Sequence, residues 1–145
     1  MSAFTTYAER LTMWSNISFQ VFADIVNSDR VQDLARKLNE EQLDAGQRSD
    51  GSSLPPYSQV TVAIKQAKGQ QTAPMNLKDT GDFRDQIRLR LTKNFGFLMS
   101  TDEKNEELKN RYGSLIFGLT AENELKVLNE IIRIYEEQAK KTIRR

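Results

Sequence analysis

A long segment in the first half of the chain, from Gly46 to Phe83, limits where a hydrophobic core can form. It reads GQRSDGSSLPPYSQVTVAIKQAKGQQTAPMNLKDTGDF, which is poorly hydrophobic and rich in residues that favour turns. Compact domains seldom keep about 40 such residues unless the segment is functional or is ordered by a partner. We therefore expect this part of the chain to contact another molecule.

The overall composition is that of one soluble globular domain. The chain has 145 residues, of which 38% are hydrophobic and 28% are charged, and this is enough to bury a single core. Lys and Arg number 21 and Asp and Glu number 20, so no overall charge attracts the protein to nucleic acid or to an anionic membrane. The first residues lack the pattern of a signal peptide, and no run of about 18 apolar residues occurs. We expect a soluble protein that is made in the cytoplasm.

The residue types on which many small catalytic sites depend are absent. The sequence contains no Cys and no His. This excludes disulfides, thiolate metal sites and cysteine nucleophiles, and it removes the commonest general base and metal ligand. The sequence therefore carries no recognisable catalytic set, and we expect no metal site and no cofactor.

Two helices are predicted in residues 1–45. From Thr6 to Val26 the apolar residues recur mostly at spacings of three, four or seven, as one helical face requires. Asn27 and Ser28 can cap a second helix, although the two helices can also be one long, bent helix. The aromatic residues of the first helix are interpreted as core residues, with a subunit interface as the alternative. The apolar residues of the two helices are Tyr7, Leu11, Trp14, Val21, Phe22 and Ile25, and then Val31, Leu34, Ala35 and Leu38.

The segment that follows is predicted to be loop and then a short helix. Glycine and proline interrupt regular structure from Gly46 to Pro56. From Ser58 to Lys68, the alternating Val60, Val62 and Ile64 fit a strand, but the same residues also fit a helix that Ser58 caps and Gly69 ends. We favour the helix.

A turn and a β-hairpin are predicted next. Asp79 stands three residues before Asp82 and can cap a single helical turn. After it, the apolar Ile87, Leu89 and Leu91 alternate with Arg88 and Arg90, which is the period of a half-buried strand. Residues 93–96 can turn the chain, and Phe97, Leu98 and Met99 supply the partner strand.

The C-terminal part is predicted to end in a helix. Residues 103–109 are charged and expected to be solvated, and residues 112–119 are expected to form a strand or an extended loop. Thr120 can cap the last helix, with Glu122 and Glu124 near its positive end and Lys140, Lys141, Arg144 and Arg145 near its negative end. Its predicted apolar face comprises Leu125, Leu128, Ile131, Ile132, Tyr135 and Ala139.

Together these elements predict an α+β fold, in which a small antiparallel sheet is flanked by N-terminal and C-terminal helices and a long extended loop leaves the body. We expect one domain over residues 1–145. Its parts are the N-terminal helices (1–45), an extended loop or arm (46–76), the turn and hairpin region (77–119) and the C-terminal helix (120–145).

The succession of motifs resembles the phage virion-morphogenesis or tail-completion proteins, which form the head–tail connector. The matching phrases are SDGSSLPPYSQVTVAIKQAKGQ and MNLKDTGDFRDQI, followed by Phe117, Gly118, Leu119 and Thr120 before an amphipathic last helix. Family members carry a Gly-rich loop, a Lys-Gly stop, a Leu-x-Asp-Thr-Gly turn and a Phe-x-Gly-Leu segment in this order. The likeness covers residues 46–143. The chain lacks the Pro-x-Arg-Pro that often precedes the Phe-x-Gly-Leu segment and has Tyr112-Gly113-Ser114-Leu115-Ile116 instead, which leaves the path of this segment open.

This resemblance implies a non-enzymatic structural protein of the virion. Copies would assemble into a ring at the head–tail junction and bind portal or adaptor proteins on one side and tail proteins on the other. The ring could also contact packaged DNA without sequence specificity. The host cytoplasm would be the place of assembly, and no membrane contact is expected. We hypothesise that residues 46–76 reach a neighbouring subunit, and that the interface includes Tyr57, Lys65, Lys68, Phe83, Arg84, Arg88 and Arg90.

Two other interpretations remain. A small nucleic-acid-associated module would use the Arg88 and Arg90 strand together with the basic C-terminus. Asp79-Thr80-Gly81 is also the triplet of retroviral-type aspartic proteases. However, those enzymes place a small residue after the triplet and apolar strands around it, whereas here Lys78 precedes it and Asp82 follows it. A structural turn explains the triplet better.

Overall fold

The computed structural model describes residues 19–91 and 96–143. These residues form six α-helices, a 3-10 helix at Ser114–Ile116 and a two-stranded antiparallel sheet. The predicted α+β class, with a small antiparallel sheet flanked by helices, is confirmed. In chain order the elements are α1 (Phe19–Val26), α2 (Asp29–Asp44), α3 (Gln59–Ala67), α4 (Asp82–Asp85), β1 (Ile87–Leu91), β2 (Gly96–Ser100), α5 (Asn105–Tyr112) and α6 (Ala121–Ile143).

The N-terminal helical region is two helices and not one bent helix. Ser28 breaks the helix with an extended backbone (ψ 146°). Its hydroxyl donates to the Ile25 carbonyl at 2.6 Å, so Ser28 occupies the cap position of α2 without capping it through its side chain. Of the predicted helix Thr6–Val26, only Phe19–Val26 is described, and Tyr7, Leu11 and Trp14 lie outside the described residues. The predicted stripe of α2 is confirmed, with Val31, Ala35 and Leu38 buried and Leu34 partly buried.

The hairpin has the predicted strands and the predicted inward residues. Ile87 pairs with Ser100 and Leu89 with Leu98, and Ile87, Leu89 and Leu98 are buried against the helices. The Gln32 side chain of α2 completes the free edge of β1, because it accepts from the Leu89 amide and donates to the Leu89 carbonyl, each at 2.9 Å. Of the predicted turn at residues 93–96, residues 93–95 lie outside the described residues.

The last helix is present as predicted, but its buried face is different. Residues Val127, Leu128, Ile131 and Ile134 are buried, whereas Leu125 is exposed and Ile132 is only partly buried. The buried face of α6 is therefore rotated about the helix axis relative to the predicted face. Thr120 Oγ1 accepts from the Asn123 amide at 3.4 Å, as a cap would. Arg144 and Arg145 lie outside the described residues.

The region between the hairpin and α6 differs from the prediction. Within the charged stretch, α5 forms without burying any residue. Glu106 and Glu107 stand in its first turn and Lys109 and Arg111 in its last turn, an arrangement that complements the helix dipole. Residues 112–119 are not a strand. They contain the 3-10 helix and a bend, and they bury Ile116 and Leu119.

Candidate interaction surface

Residues 46–79, which we call the lobe, are folded against the body and do not form a free extended arm. Gln47 and Ser53 form an isolated antiparallel bridge, and the Leu54 amide donates to the Gly46 carbonyl at 2.7 Å. The side chains of Leu54 and Met75 are buried. Outside α3 and this bridge, residues 46–76 are loop, as expected, but the buried Leu54 and Met75 hold the loop against the body.

The central element of the lobe is the helix α3. The Ser58 hydroxyl accepts from the Thr61 amide at 3.3 Å, and Gly69 ends the helix with φ +66°. The predicted short helix with these two boundaries is confirmed, and the strand alternative is wrong.

The orientation of α3 is the reverse of that expected for an amphipathic helix. Lys65 is the one buried residue of this helix, with 6% of its surface exposed, whereas Val60 is 71% exposed and Ile64 is 51% exposed. Val60 and Ile64 are one helical turn apart and share a face. We call these two residues the α3 face. Helix α3 thus presents Val60 and Ile64 to solvent, keeps Val62 partly buried and turns the cationic side chain of Lys65 to the body.

Polar contacts hold Lys65 in its inward position. Its ammonium donates to the Lys78 carbonyl and to Gln70 Oε1, and it lies 4.9 Å from the centre of the Tyr57 ring. Burial lowers the pKa of Lys65, while the nearby Asp79 charge acts in the opposite direction. Because a buried amine is costly unless it is hydrogen-bonded, these contacts fix the orientation of α3.

Tyr57 joins the start of the lobe to its end. Its hydroxyl accepts from the amides of Asn76 (3.2 Å) and Leu77 (3.0 Å) and donates to Asn76 Oδ1 (3.2 Å). Asn76 is itself buried, and Leu77 has a positive φ of 55°. The hydroxyl therefore satisfies two backbone donors at the point where the chain leaves the lobe.

Asp79 does not cap α4, contrary to the prediction. Its carboxylate accepts from Lys68 Nζ at 2.8 Å and from Gln70 Nε2 at 3.3 Å. The pKa of Asp79 is lowered, chiefly by the Lys68 hydrogen bond. Gly81, with φ +104°, occupies the cap position of α4 instead. A carboxylate held in an ion pair is a poor match to the proton-sharing pair of an aspartic protease.

The base of the lobe contains a buried arginine. Arg84 Nη1 donates to Asp44 Oδ1 and Nη2 donates to the Glu40 carbonyl, each at 2.8 Å. This contact is the main cause that lowers the pKa of Asp44. Phe83 is buried beside Phe117, with ring centres 5.7 Å apart. The last turn of α2 is thereby tied to the turn that follows the lobe.

These contacts divide the seven residues predicted for the interface. Lys65, Phe83 and Arg84 are buried within the chain, which leaves them little surface for the predicted contact with a partner. Tyr57 is half-buried in the network described above, and Lys68 is exposed but bound to Asp79. Sequence reasoning missed the α3 face, because the periodicity of Val60 and Ile64 indicates a face that packs inward.

Arg88 and Arg90 lie on β1, away from the lobe. Arg88 Nη1 donates to the carbonyls of Asp85 and Ile87 at 2.8 Å, and Arg90 is exposed. Both line a cavity of about 430 Å³ together with Arg36, Asp29 and Asp33, and Arg36 is itself paired with Asp33. The surface is therefore of mixed charge and not a basic stripe.

A larger cavity, of about 560 Å³, lies between β2, α5 and the start of α6. We call it the cleft. Its apolar lining residues are Leu98, Met99, Phe117 and Leu119, and its charged lining residues are Asp50, Glu106, Lys109 and Glu124. Nothing in the sequence patterns predicted it, because its residues come from five separate segments.

Within residues 19–91 and 96–143, no group of three or more His, Cys, Asp or Glu side chains could hold a metal ion. No helix in that part of the chain is long and apolar enough to cross a membrane. No protein-family model matches the chain, and no curated protein or solved structure matches it significantly.

Proposed function

We propose that the protein is a structural subunit of a ring at the head–tail junction of a bacteriophage, where it binds further copies of itself, portal or adaptor proteins and tail proteins. The order of motifs over residues 46–143 supports this role through its resemblance to the tail-completion proteins. The observation that carries it furthest is the α3 face. Val60 and Ile64 are exposed on a helix whose orientation is fixed by the contacts of Lys65.

An exposed apolar pair on an anchored helix is typical of a surface that binds another protein. A monomer would gain stability by turning these side chains inward, since each large aliphatic side chain contributes about 1.5–3 kcal/mol when fully buried. The sequence instead places Lys65 inward. We interpret this arrangement as favouring assembly over the stability of the single chain.

The ring role is tested by comparing assembly of the purified chain and of the double variant Val60→Asp, Ile64→Asp. Light scattering after size-exclusion chromatography and negative-stain electron microscopy should show closed rings for the original chain, alone or with its portal-proximal partner. A matched control is Gln138→Asp, which changes an exposed position on α6. A phage that lacks the intact gene should produce heads and tails that do not join. Normal virions from such a phage would refute the proposal.

The nucleic-acid alternative has less support. Arg88 is bound to backbone carbonyls, and Asp29 and Asp33 share the cavity of Arg88 and Arg90, which reduces attraction for phosphate. A tight complex between the monomer and DNA that weakens steeply with salt would favour the alternative instead.

A further inference from the structure

We infer that the α3 face of one copy docks into the cleft of the next copy, so that subunits join head to tail. This inference rests on the proposed function, since it names the two surfaces that would form the ring. It commits to one occupant of the cleft, a second copy of this chain.

The two surfaces lie on separate parts of the molecule. The cleft is lined by Ser49 and Asp50 near the start of the lobe and by residues of β2, α5, the 114–119 segment and α6, but by no residue of α3. A contact between two different surfaces of identical chains is heterologous, and it forms a ring when the rotation between copies closes. A two-fold dimer would require one surface to be complementary to itself.

The charges of the two surfaces are complementary. Beside α3 the available positive charge is that of the exposed Lys78, since Lys65 is buried and Lys68 is paired with Asp79. The cleft has three carboxylates, from Asp50, Glu106 and Glu124, and one amine, from Lys109. Opposite potentials favour the correct orientation of two surfaces and disfavour contacts between two lobes.

The shapes and polarities also agree. Val60 and Ile64 are separated by about 6 Å along the axis of α3, and the cleft of about 560 Å³ is within the range of roughly 300–1,000 Å³ found for binding pockets. Its apolar lining comes from β2 and from the segment that contains Phe117 and Leu119. Leu115 and Leu125, which are both exposed, follow the lining residues Ser114 and Glu124 in the chain. Two apolar side chains from α3 would therefore meet apolar partners in the cleft and at its edge.

The absence of cysteine from the chain allows a direct test by disulfide formation. Ala63→Cys places a thiol on the exposed side of α3, and Lys109→Cys places one in the cleft. A mixture of the two variants, oxidised under mild conditions, should form the mixed 63–109 dimer in excess over either symmetric dimer. Gln138→Cys, mixed with Lys109→Cys, measures random collision. A yield equal to that control, or a predominant 63–63 dimer, would overturn the inference.

A capping experiment separates this contact from the ring role. Ser114→Trp fills the cleft from an exposed position and leaves α3 intact, whereas Val60→Asp with Ile64→Asp leaves the cleft intact. Neither variant should assemble alone, but their 1:1 mixture should give a dimer that grows no further. Circular dichroism of each variant establishes that it is folded.

The outcomes have different meanings. If the original chain forms rings that neither variant disturbs, the contact is wrong and the ring role stands. If the capped dimer forms but the original chain makes only open chains, the contact stands and the ring role fails.

Discussion

Two glycines give a matched test of how the lobe is closed. Gly46 and Gly69 each follow the C-cap residue of a helix, and their φ angles are +67° and +66°. They differ in their surroundings. A Cβ atom at Gly46 would lie 2.6 Å from Pro74 Cβ, whereas one at Gly69 would meet nothing within 4 Å. We predict that Gly46→Ala destabilises the protein more than Gly69→Ala does.

The size of the difference follows from these geometries. An L-residue at positive φ costs about 1–2 kcal/mol, and this cost is common to both variants. Overpacking at a well-packed site adds about 1–3 kcal/mol, and only Gly46→Ala incurs it. We therefore expect losses of about 1–2 kcal/mol for Gly69→Ala and about 2–5 kcal/mol for Gly46→Ala. At roughly 2–4 °C per kcal/mol for a chain of this size, the second variant should melt several degrees below the first.

Urea denaturation followed by circular dichroism measures both free energies of unfolding. Hydrogen exchange should also show that Gly46→Ala weakens protection in α3 more than in α6, because the clash lies where the two ends of the lobe meet. Equal losses for the two variants would refute the reasoning, since they would mean that Pro74 moves aside without cost.

Three further results are expected. Tyr57→Phe should lower the free energy of unfolding by about 1–3 kcal/mol, because the amides of Asn76 and Leu77 lose their acceptor. Urea titration checks this by comparison with the control Tyr135→Phe, because the Tyr135 hydroxyl makes no hydrogen bond with the described residues. Stability should fall as the pH drops below about 4, because the pKa of Asp44 is lower in the folded chain than its usual 3.8. The stabilisation that the ionised carboxylate provides above that value is lost as the folded carboxylate is protonated. The melting temperatures near pH 6 and pH 3 should therefore differ less in Asp44→Asn than in the original chain. Lys65→Met should weaken assembly and lower hydrogen-exchange protection in α3, because it removes the hydrogen bonds to the Lys78 carbonyl and to Gln70 that fix the orientation of this helix. Assembly equal to that of the original chain would contradict the argument that these contacts present the α3 face.

The sequence was a good guide where burial and periodicity have one solution. In β1 the alternation of Ile87 and Leu89 with arginines left only one face for the core, and both side chains are buried there. In α6 the apolar residues form a broad arc that includes Leu125, Val127 and Ile134. Tertiary packing against α1 and α2 decided that Val127 and Ile134 are buried and that Leu125 is exposed, which periodicity alone cannot decide.

The candidate surface was harder to predict because it depends on long-range polar contacts. The spacing of Val60 and Ile64 correctly indicated a helix, but it suggested the wrong side as the inward one. The contacts that turn the Lys65 side of α3 inward link Lys65 to the Lys78 carbonyl and to Gln70. No local sequence pattern predicts a hydrogen bond to a backbone carbonyl 13 residues away. The lack of Asp and Glu in residues 51–78 was the one available signal. It becomes meaningful only beside the acidic cleft.

The last turns of α2 connect the two sides of the molecule. Asn39 and Gln42 donate to the Gly118 carbonyl beside the cleft, at 3.0 and 3.1 Å, while Asp44 binds Arg84 beneath the lobe. These hydrogen bonds and this ion pair would fix the angle between the α3 face and the cleft within each copy. In a head-to-tail assembly this angle determines the rotation between successive copies, and hence how many copies close the ring. Stoichiometry would then depend on a few buried amides that lie behind the contact surface and do not touch the neighbouring copy.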